Sequence, residues 1–222
     1  MATGLRRERE KEEIQRRILD AARELFALEG YEAVTMRKIA DRVDYTPTAL
    51  YFHFRDKRSL LQRLCAVDFS ALSARFQVLS RVPDPLERLR MLGRGYIAFA
   101  LEHPHAYRLM FMTPLDEADA GATLGKGGAM GTSAPGERDR DRADRDALVF
   151  LHRTVSEAIA AGSLRPDLAD PRLVTQVYWA GLHGLAALSI AKERDKWIGW
   201  RPMEKRINAL VDTLVRGLSR DA

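Results

Sequence analysis

The chain has 222 residues, 46% hydrophobic and 30% charged, which suits a globular protein of one medium domain or a small domain joined to a larger one. Its 36 Lys and Arg against 31 Asp and Glu leave a formal net charge of +5, an excess too mild to assign a nucleic-acid partner by itself. A single cysteine, Cys65, excludes an intramolecular disulfide and fits a reducing cytoplasm; no apolar h-region follows Met1, so no secretory signal is expected, and charges or Gly break each apolar run, so no membrane span is expected.

In chain order, Ile14, Ile18, Ala22 and Leu25 recur at helical spacing, with Leu19, Ala21 and Phe26 widening the stripe. Gly30 then reads as a left-handed stop. Thr35 is placed to cap a short helix carrying Met36, Ile39, Ala40 and Val43. Asp44-Tyr45 forms a tight turn, and Thr46-Pro47 is a cap plus first helical residue of a very short helix that runs to about Phe52. Asp56 caps a long fourth helix with Leu60, Leu61, Leu64, Val67, Phe69, Leu72, Phe76 and Leu79.

Asp84-Pro85 and Asp170-Pro171 repeat the Asp-cap, Pro-start signal ahead of apolar stretches from Leu86 to Leu101 and from Leu173 to Ile190. His103-Pro104 ends the first of these, a short apolar helix follows from Ala106 to Met112, and Pro202 opens a last helix with Ile207, Leu210, Val211, Leu214 and Leu218. From Asp116 to Pro135 the chain is rich in Gly and Ala, which predicts a flexible loop of about 114–137, and Glu137 to Asp146 alternates Arg and Asp as a solvated helix start. No alternating strand pattern and no internal repeat are found, so the fold class is all-α.

Three short helices within the first sixty residues bury one small core, and the second and third are joined by a turn of about three residues, a helix-turn-helix. The run Thr35-Met36-Arg37-Lys38-Ile39-Ala40-Asp41-Arg42-Val43, followed by Thr46-Pro47-Thr48-Ala49-Leu50-Tyr51-Phe52-His53-Phe54-Arg55-Asp56-Lys57, resembles the TetR family of repressors from about Ile14 to Leu64. The resemblance implies double-stranded DNA as partner, with contacts from Arg37, Thr46, Pro47, Thr48, Tyr51, His53 and Lys57.

The chemistry of these side chains fits that implication. Tyr51 and His53, at the end of the recognition helix, can donate to phosphate oxygens. Lys57, in the first turn of the fourth helix, opposes the helix dipole unless an anion sits there too. Arg37 can reach guanine bidentately, and Thr46, Pro47 and Thr48 begin the helix whose side chains meet base edges. Phe54 reads as core, and Tyr51 suits a half-buried core position equally well. Asp44 and Thr48 stand where many family members have Gly; Asp tolerates a left-handed turn, whereas Thr48 adds bulk at the groove. Arg6, Arg7 and Arg9 lie in a solvated helix extension and are candidates for a minor-groove arm.

Further on, Tyr178-Trp179-Ala180-Gly181-Leu182-His183-Gly184 and Glu102-His103-Pro104-His105-Ala106-Tyr107-Arg108-Leu109-Met110-Phe111 resemble the C-terminal subtype named for a Trp-His-Gly (WHG) motif. The resemblance implies a helical body over residues 58–222 that dimerises and takes a small-molecule effector, behind a DNA-binding head over residues 1–57. Tyr96, Phe99, His103, Tyr107, Phe111, Phe150, Trp179 and His183 can line an apolar pocket for a greasy or aromatic ligand; a packed core or a dimer seam uses the same residues. Trp179, Leu182, Leu185, Ile207, Leu210, Val211 and Leu214 offer faces for a four-helix bundle across a two-fold axis, and a homodimer predicts a palindromic operator.

Rival readings fail on spacing. Gly121 to Gly127 is one residue short of a phosphate-binding loop and lacks a Ser or Thr after Lys126. His103-x-His105 is poorly spaced for two metal ligands, and no nucleophile elbow is present. No catalytic residue, metal site or cofactor is expected. A DNA-independent helical scaffold would leave Tyr51, His53 and Lys57 at their spacing unexplained. The sequence therefore reads as a ligand-responsive repressor that releases its operator, or alternatively as a constitutive DNA-binding dimer or activator.

Overall fold

The computed structural model describes residues 2–113, 147–193 and 195–220. The Gly-rich loop of about 114–137, the helix start to Asp146 and the Gly121-to-Gly127 stretch lie outside them. The described residues are helical, with no strand among them: α1 (Ala2–Glu29), α2 (Met36–Arg42), α3 (Pro47–Tyr51), α4 (Lys57–Gln77), α5 (Pro85–Glu102), α6 (Pro104–Phe111), α7 (Ala147–Ala160), α8 (Pro171–Lys192) and α9 (Met203–Leu218). The all-α expectation holds.

The helix starts follow from their caps. Thr35 Oγ1 accepts from the Lys38 amide at 3.2 Å, and Thr46 Oγ1 from the Ala49 amide at 3.2 Å. Asp84 and Asp170 each accept from two first-turn amides, with Pro85 and Pro171 behind them. At α4, Asp56 Oδ1 accepts from the Ser59 amide at 2.6 Å while Ser59 Oγ accepts from the Asp56 amide at 3.2 Å, a reciprocal pair. The Ser59 amide's bond favours the charged carboxylate and, with Arg55 beside it, holds Asp56 below its ordinary range. Gly30 ends α1 at φ +82°, and Asp44 takes the left-handed conformation at φ +59° after α2. The Tyr45 amide then donates to the Ala40 carbonyl at 3.0 Å, which closes the turn.

The chain divides into two compact units, and the passage from one to the other falls inside α4, after Asp68. The first holds residues 2–68 and 105–113. Ile18, Ala22 and Phe26 of α1, Ile39 and Ala40 of α2, Leu50 of α3, and Leu60, Leu61 and Leu64 of α4 are buried there. Arg23 of α1 pairs with the buried Asp68 at 2.8 Å, and burial pushes the neighbouring Cys65 thiol up to about 12. α1 runs back through the charged segment as helix, with Arg6 and Glu10 paired at 2.9 Å. Arg6, Arg7 and Arg9 are therefore exposed on a regular helix, as the reading of a solvated helix extension expects.

The second unit holds residues 69–104, 147–193 and 195–220, with α5 packed against α7, α8 and α9. Gly93 makes the approach possible. A Cβ there would stand 2.6 Å from Tyr178 Oη and 3.1 Å from both Leu182 Cδ2 and Val211 Cγ2. The Tyr178 hydroxyl donates to the Leu89 carbonyl at 2.6 Å, and burial raises its pKa well above the ordinary phenol value. Arg88, buried on α5, donates to the Val82 carbonyl and to Glu157 of α7.

Two sequence expectations change here. Leu182 and Val211 are buried in their own subunit's core and so are not seam residues. α8 is long and apolar enough, by length and composition, to cross a membrane, against the expectation that no run reaches that length. Gly181 and Gly184 do not interrupt an apolar run, because Gly carries no polar side chain. Yet Val174, Thr175, Tyr178, Leu182, Ala186 and Ser189 are buried at helical spacing along α8, the pattern of a core helix.

Candidate DNA-binding face and effector site

The DNA-binding candidates all lie in the first unit. Thr46, Pro47 and Thr48 are exposed around the start of α3, and Leu50 turns inward. Tyr51 is 52% exposed, a surface position rather than half-buried core. Arg37 is exposed on α2. His53 is half-buried, and its Nδ1 is buried with no hydrogen-bond partner among the described residues. Phe54 is core, as expected.

Lys57 is held more firmly than its sequence position suggests. Its ammonium donates to the Tyr31 carbonyl at 2.8 Å and to the Glu32 carbonyl at 3.3 Å, and lies 4.2 Å from the centre of the Tyr31 ring. These carbonyls and the ring face relieve the conflict between a cation and the α4 N-terminus. An ammonium carries three hydrogens, and these two bonds aim it without consuming all of them. Arg17 plays a related part for the turn: its guanidinium donates to the Val43 carbonyl at 3.5 Å and lies 5.9 Å from the Tyr45 ring centre. Neither Tyr31 nor Arg17 was signalled by the sequence, since each acts on a residue 26 or more positions away.

The effector candidates divide. Tyr107 and Phe111 lie on α6 in the first unit, with rings 4.9 Å apart. The other six lie in the second. Three of those are joined: the Trp179 indole donates to Tyr96 Oη at 3.0 Å, and Tyr96 Oη stands 3.3 Å from His183 Nδ1. An indole N–H only donates, so Tyr96 Oη accepts from Trp179, and which of Tyr96 and His183 donates to the other depends on the imidazole tautomer. Burial pulls the His183 pKa down and so favours the neutral imidazole. Phe99 stacks obliquely on His103 at 5.0 Å, with His103 exposed at the end of α5. Phe150 is buried on α7, with the Arg153 guanidinium 4.9 Å from its ring. A cavity of about 180 Å³ in the first unit, lined by Phe26, Tyr31, His105, Arg108 and Leu109 among others, includes none of the eight candidates.

Comparison with known proteins covers both parts of the chain. Residues 18–64 match bacterial regulatory proteins of the tetR family, and residues 89–217 match the tetracyclin repressor-like C-terminal domain. The HTH-type transcriptional repressor KstR2 of Mycolicibacterium smegmatis is 30% identical over 152 residues, covering 68% of this chain and 67% of that protein. The HTH-type transcriptional activator FasR of the same species is 31% identical over 164 residues, 72% of each chain. A solved structure of a protein of unknown function from Rhodococcus sp. RHA1 superposes with TM-score 0.66 at 26% identity, over 92% of this chain and 95% of that one.

Proposed function

The chain belongs to the TetR family and is a DNA-binding transcriptional regulator, and on that premise we propose that it is a cytoplasmic homodimeric repressor released from its operator by an apolar or aromatic effector. The family indicates a regulator rather than an enzyme. The observation that carries the DNA-reading role is the exposed face of α3: Thr46, Pro47, Thr48 and Tyr51 outward, Leu50 inward, on a turn closed by Asp44. Arg37 adds a base-reading guanidinium, while His53 and Lys57 supply phosphate donors. In sequence terms we assign the DNA-reading role to residues 1–57 and the effector and dimerisation role to residues 58–222, while the compact units themselves divide after Asp68.

In the body, we assign the effector site to a cluster centred on Trp179, Tyr96 and His183, which are joined by hydrogen-bond contacts and two of which fall in the proposed WHG stretch 178–184. Leu173, Val177 and Leu188 are exposed along α8, and Ile207, Leu210 and Leu214 are half-exposed on α9. Those faces, with Trp179 and Leu185, suit pairing with a second copy and hence a palindromic operator. The two recognition helices must then meet successive major grooves about 34–36 Å apart. α4 contributes residues to both units, so an effector that prefers another setting of that helix weakens DNA binding.

Anisotropy with a labelled duplex from the protein's own upstream region, against a random duplex, tests the reading. Specific binding should be tighter by about 10³ or more; equal affinities overturn the regulator's site assignment. Effector action is tested by calorimetry. A compound that weakens operator binding tenfold must bind the operator complex tenfold more weakly than the free dimer. Equal affinity for both favours the second reading, a constitutive DNA binder or activator, which the resemblance to an activator also supports.

A further inference from the structure

Phe52 is 83% exposed, in a chain whose other recognition-region aromatic without a polar atom, Phe54, is buried. Its backbone, φ −68° and ψ −23°, continues the α3 helix by one residue. Thr48, Tyr51 and Phe52 therefore share one face, at i, i+3 and i+4, and Leu50 points the other way into the core. The position is fixed from both sides. The Phe52 amide donates to the Ala49 carbonyl at 3.3 Å, the His53 amide to the Leu50 carbonyl at 3.0 Å, and Phe54 anchors the chain in the core.

A phenyl ring has no donor or acceptor, so it can neither bond a phosphate oxygen nor read a base edge by hydrogen bonding. The one apolar feature that a base pair shows in the major groove is the thymine C5-methyl. We infer that Phe52 reads a thymine methyl, fixing an A·T pair at one place in each half-site; the inference rests on the proposed docking of the α3 face. Burial of one methyl group corresponds to about fourfold in affinity per half-site. A symmetric dimer doubles the effect in free energy, to roughly fifteenfold on a full site.

The test begins with the full-length protein selecting its preferred sequence from a pool of random duplexes. Each thymine of the selected duplex is then replaced by deoxyuridine, which pairs identically and lacks only the methyl. By anisotropy, one position per half-site should cost the wild type about fourfold. The same replacement should cost Phe52→Ala nothing, and Phe52→Ala, which removes both rings of the dimer, should bind the thymine duplex about as weakly as wild type binds the duplex with that thymine replaced in both half-sites, roughly fifteenfold down. Its salt dependence should match wild type, because no phosphate contact is lost. Phe52→Gln, of similar reach and without the apolar ring, is the second variant, and unchanged melting temperatures establish that both fold. If every uridine replacement costs wild type and both variants the same factor, Phe52 does not read a methyl. If the wild type enriches no sequence at all, the DNA-reading assignment of α3 falls as well, and the two failures are distinguished by which step fails.

Discussion

Adding a single methyl group at Gly93 tests the packing of the second unit. In Gly93→Ala the new Cβ would lie 2.6 Å from Tyr178 Oη and 3.1 Å from Leu182 Cδ2 and Val211 Cγ2. Tyr178 is fully buried, and its hydroxyl is already committed to the Leu89 carbonyl at 2.6 Å. Retreat therefore breaks that bond and strands a buried hydroxyl, at ~1–3 kcal/mol. Overpacking costs a further ~1–3 kcal/mol. Alanine returns about 1 kcal/mol of helix propensity. The expected loss of stability is about 3 kcal/mol, measured by urea unfolding at fixed protein concentration. Tyr178→Phe alone should cost about 1 kcal/mol. With the hydroxyl gone, the new methyl meets only two side-chain ends, and Gly93→Ala should then cost about 1 kcal/mol or less. The coupling between the two substitutions is thus about 2 kcal/mol. An equal cost of Gly93→Ala in both backgrounds would refute the argument that the hydroxyl is what the glycine makes room for.

Lys57→Ala should weaken binding to every DNA sequence alike and lower the salt slope by about one per head, and it should also cost about 1 kcal/mol of stability through the Tyr31 and Glu32 carbonyls. Arg37→Ala should instead relax preference at one operator position, by ~1–3 kcal/mol; equal losses on specific and random duplexes for both variants contradict this division of roles. At the left-handed turn, Asp44→Val should lower stability by about 1–2 kcal/mol in thermal melts while Asp44→Gly leaves it unchanged or raised, and matching losses would show that φ is not what matters there. For His183, burial depresses the folded pKa below 6.5, so the unfolded chain takes up the proton first. Its contribution is complete above about 6.5 and is lost as pH falls from there through the depressed folded value. Urea midpoints of His183→Gln should fall less steeply than wild type over that window, and parallel profiles would remove His183 from the account.

Local features were the legible ones. Thr35, Thr46, Asp56, Asp84 and Asp170 each cap a helix through amides two or three residues on, so the short sequence around each states the whole interaction. The Asp44 turn was legible for the same reason. What resisted reading depends on distant partners. Periodicity shows that α8 and α9 are amphipathic but not which side meets α5, so Leu182 and Val211 passed for seam residues until Gly93 showed where they pack. The anchoring of Lys57 needs the carbonyls that follow α1, and the bond from Trp179 to Tyr96 joins residues 83 positions apart. Exposure of Phe52 was equally hidden, because an aromatic run gives no sign of which ring turns outward.

The first unit is not one stretch of chain: α6, from residue 105 on, belongs with residues 2–68, and α5 lies between them in sequence. This sets an order for biosynthesis. A nascent chain that has just completed its recognition helix cannot finish the unit that carries it until α5 has also been made. At roughly 5–20 residues per second, that interval lasts several seconds. A fragment ending within α4, whether from a premature stop or a protease cut, therefore leaves the recognition helix in a unit missing one of its own helices. Release of a complete DNA-reading unit without the rest of the chain is disfavoured by the order in which the chain is written.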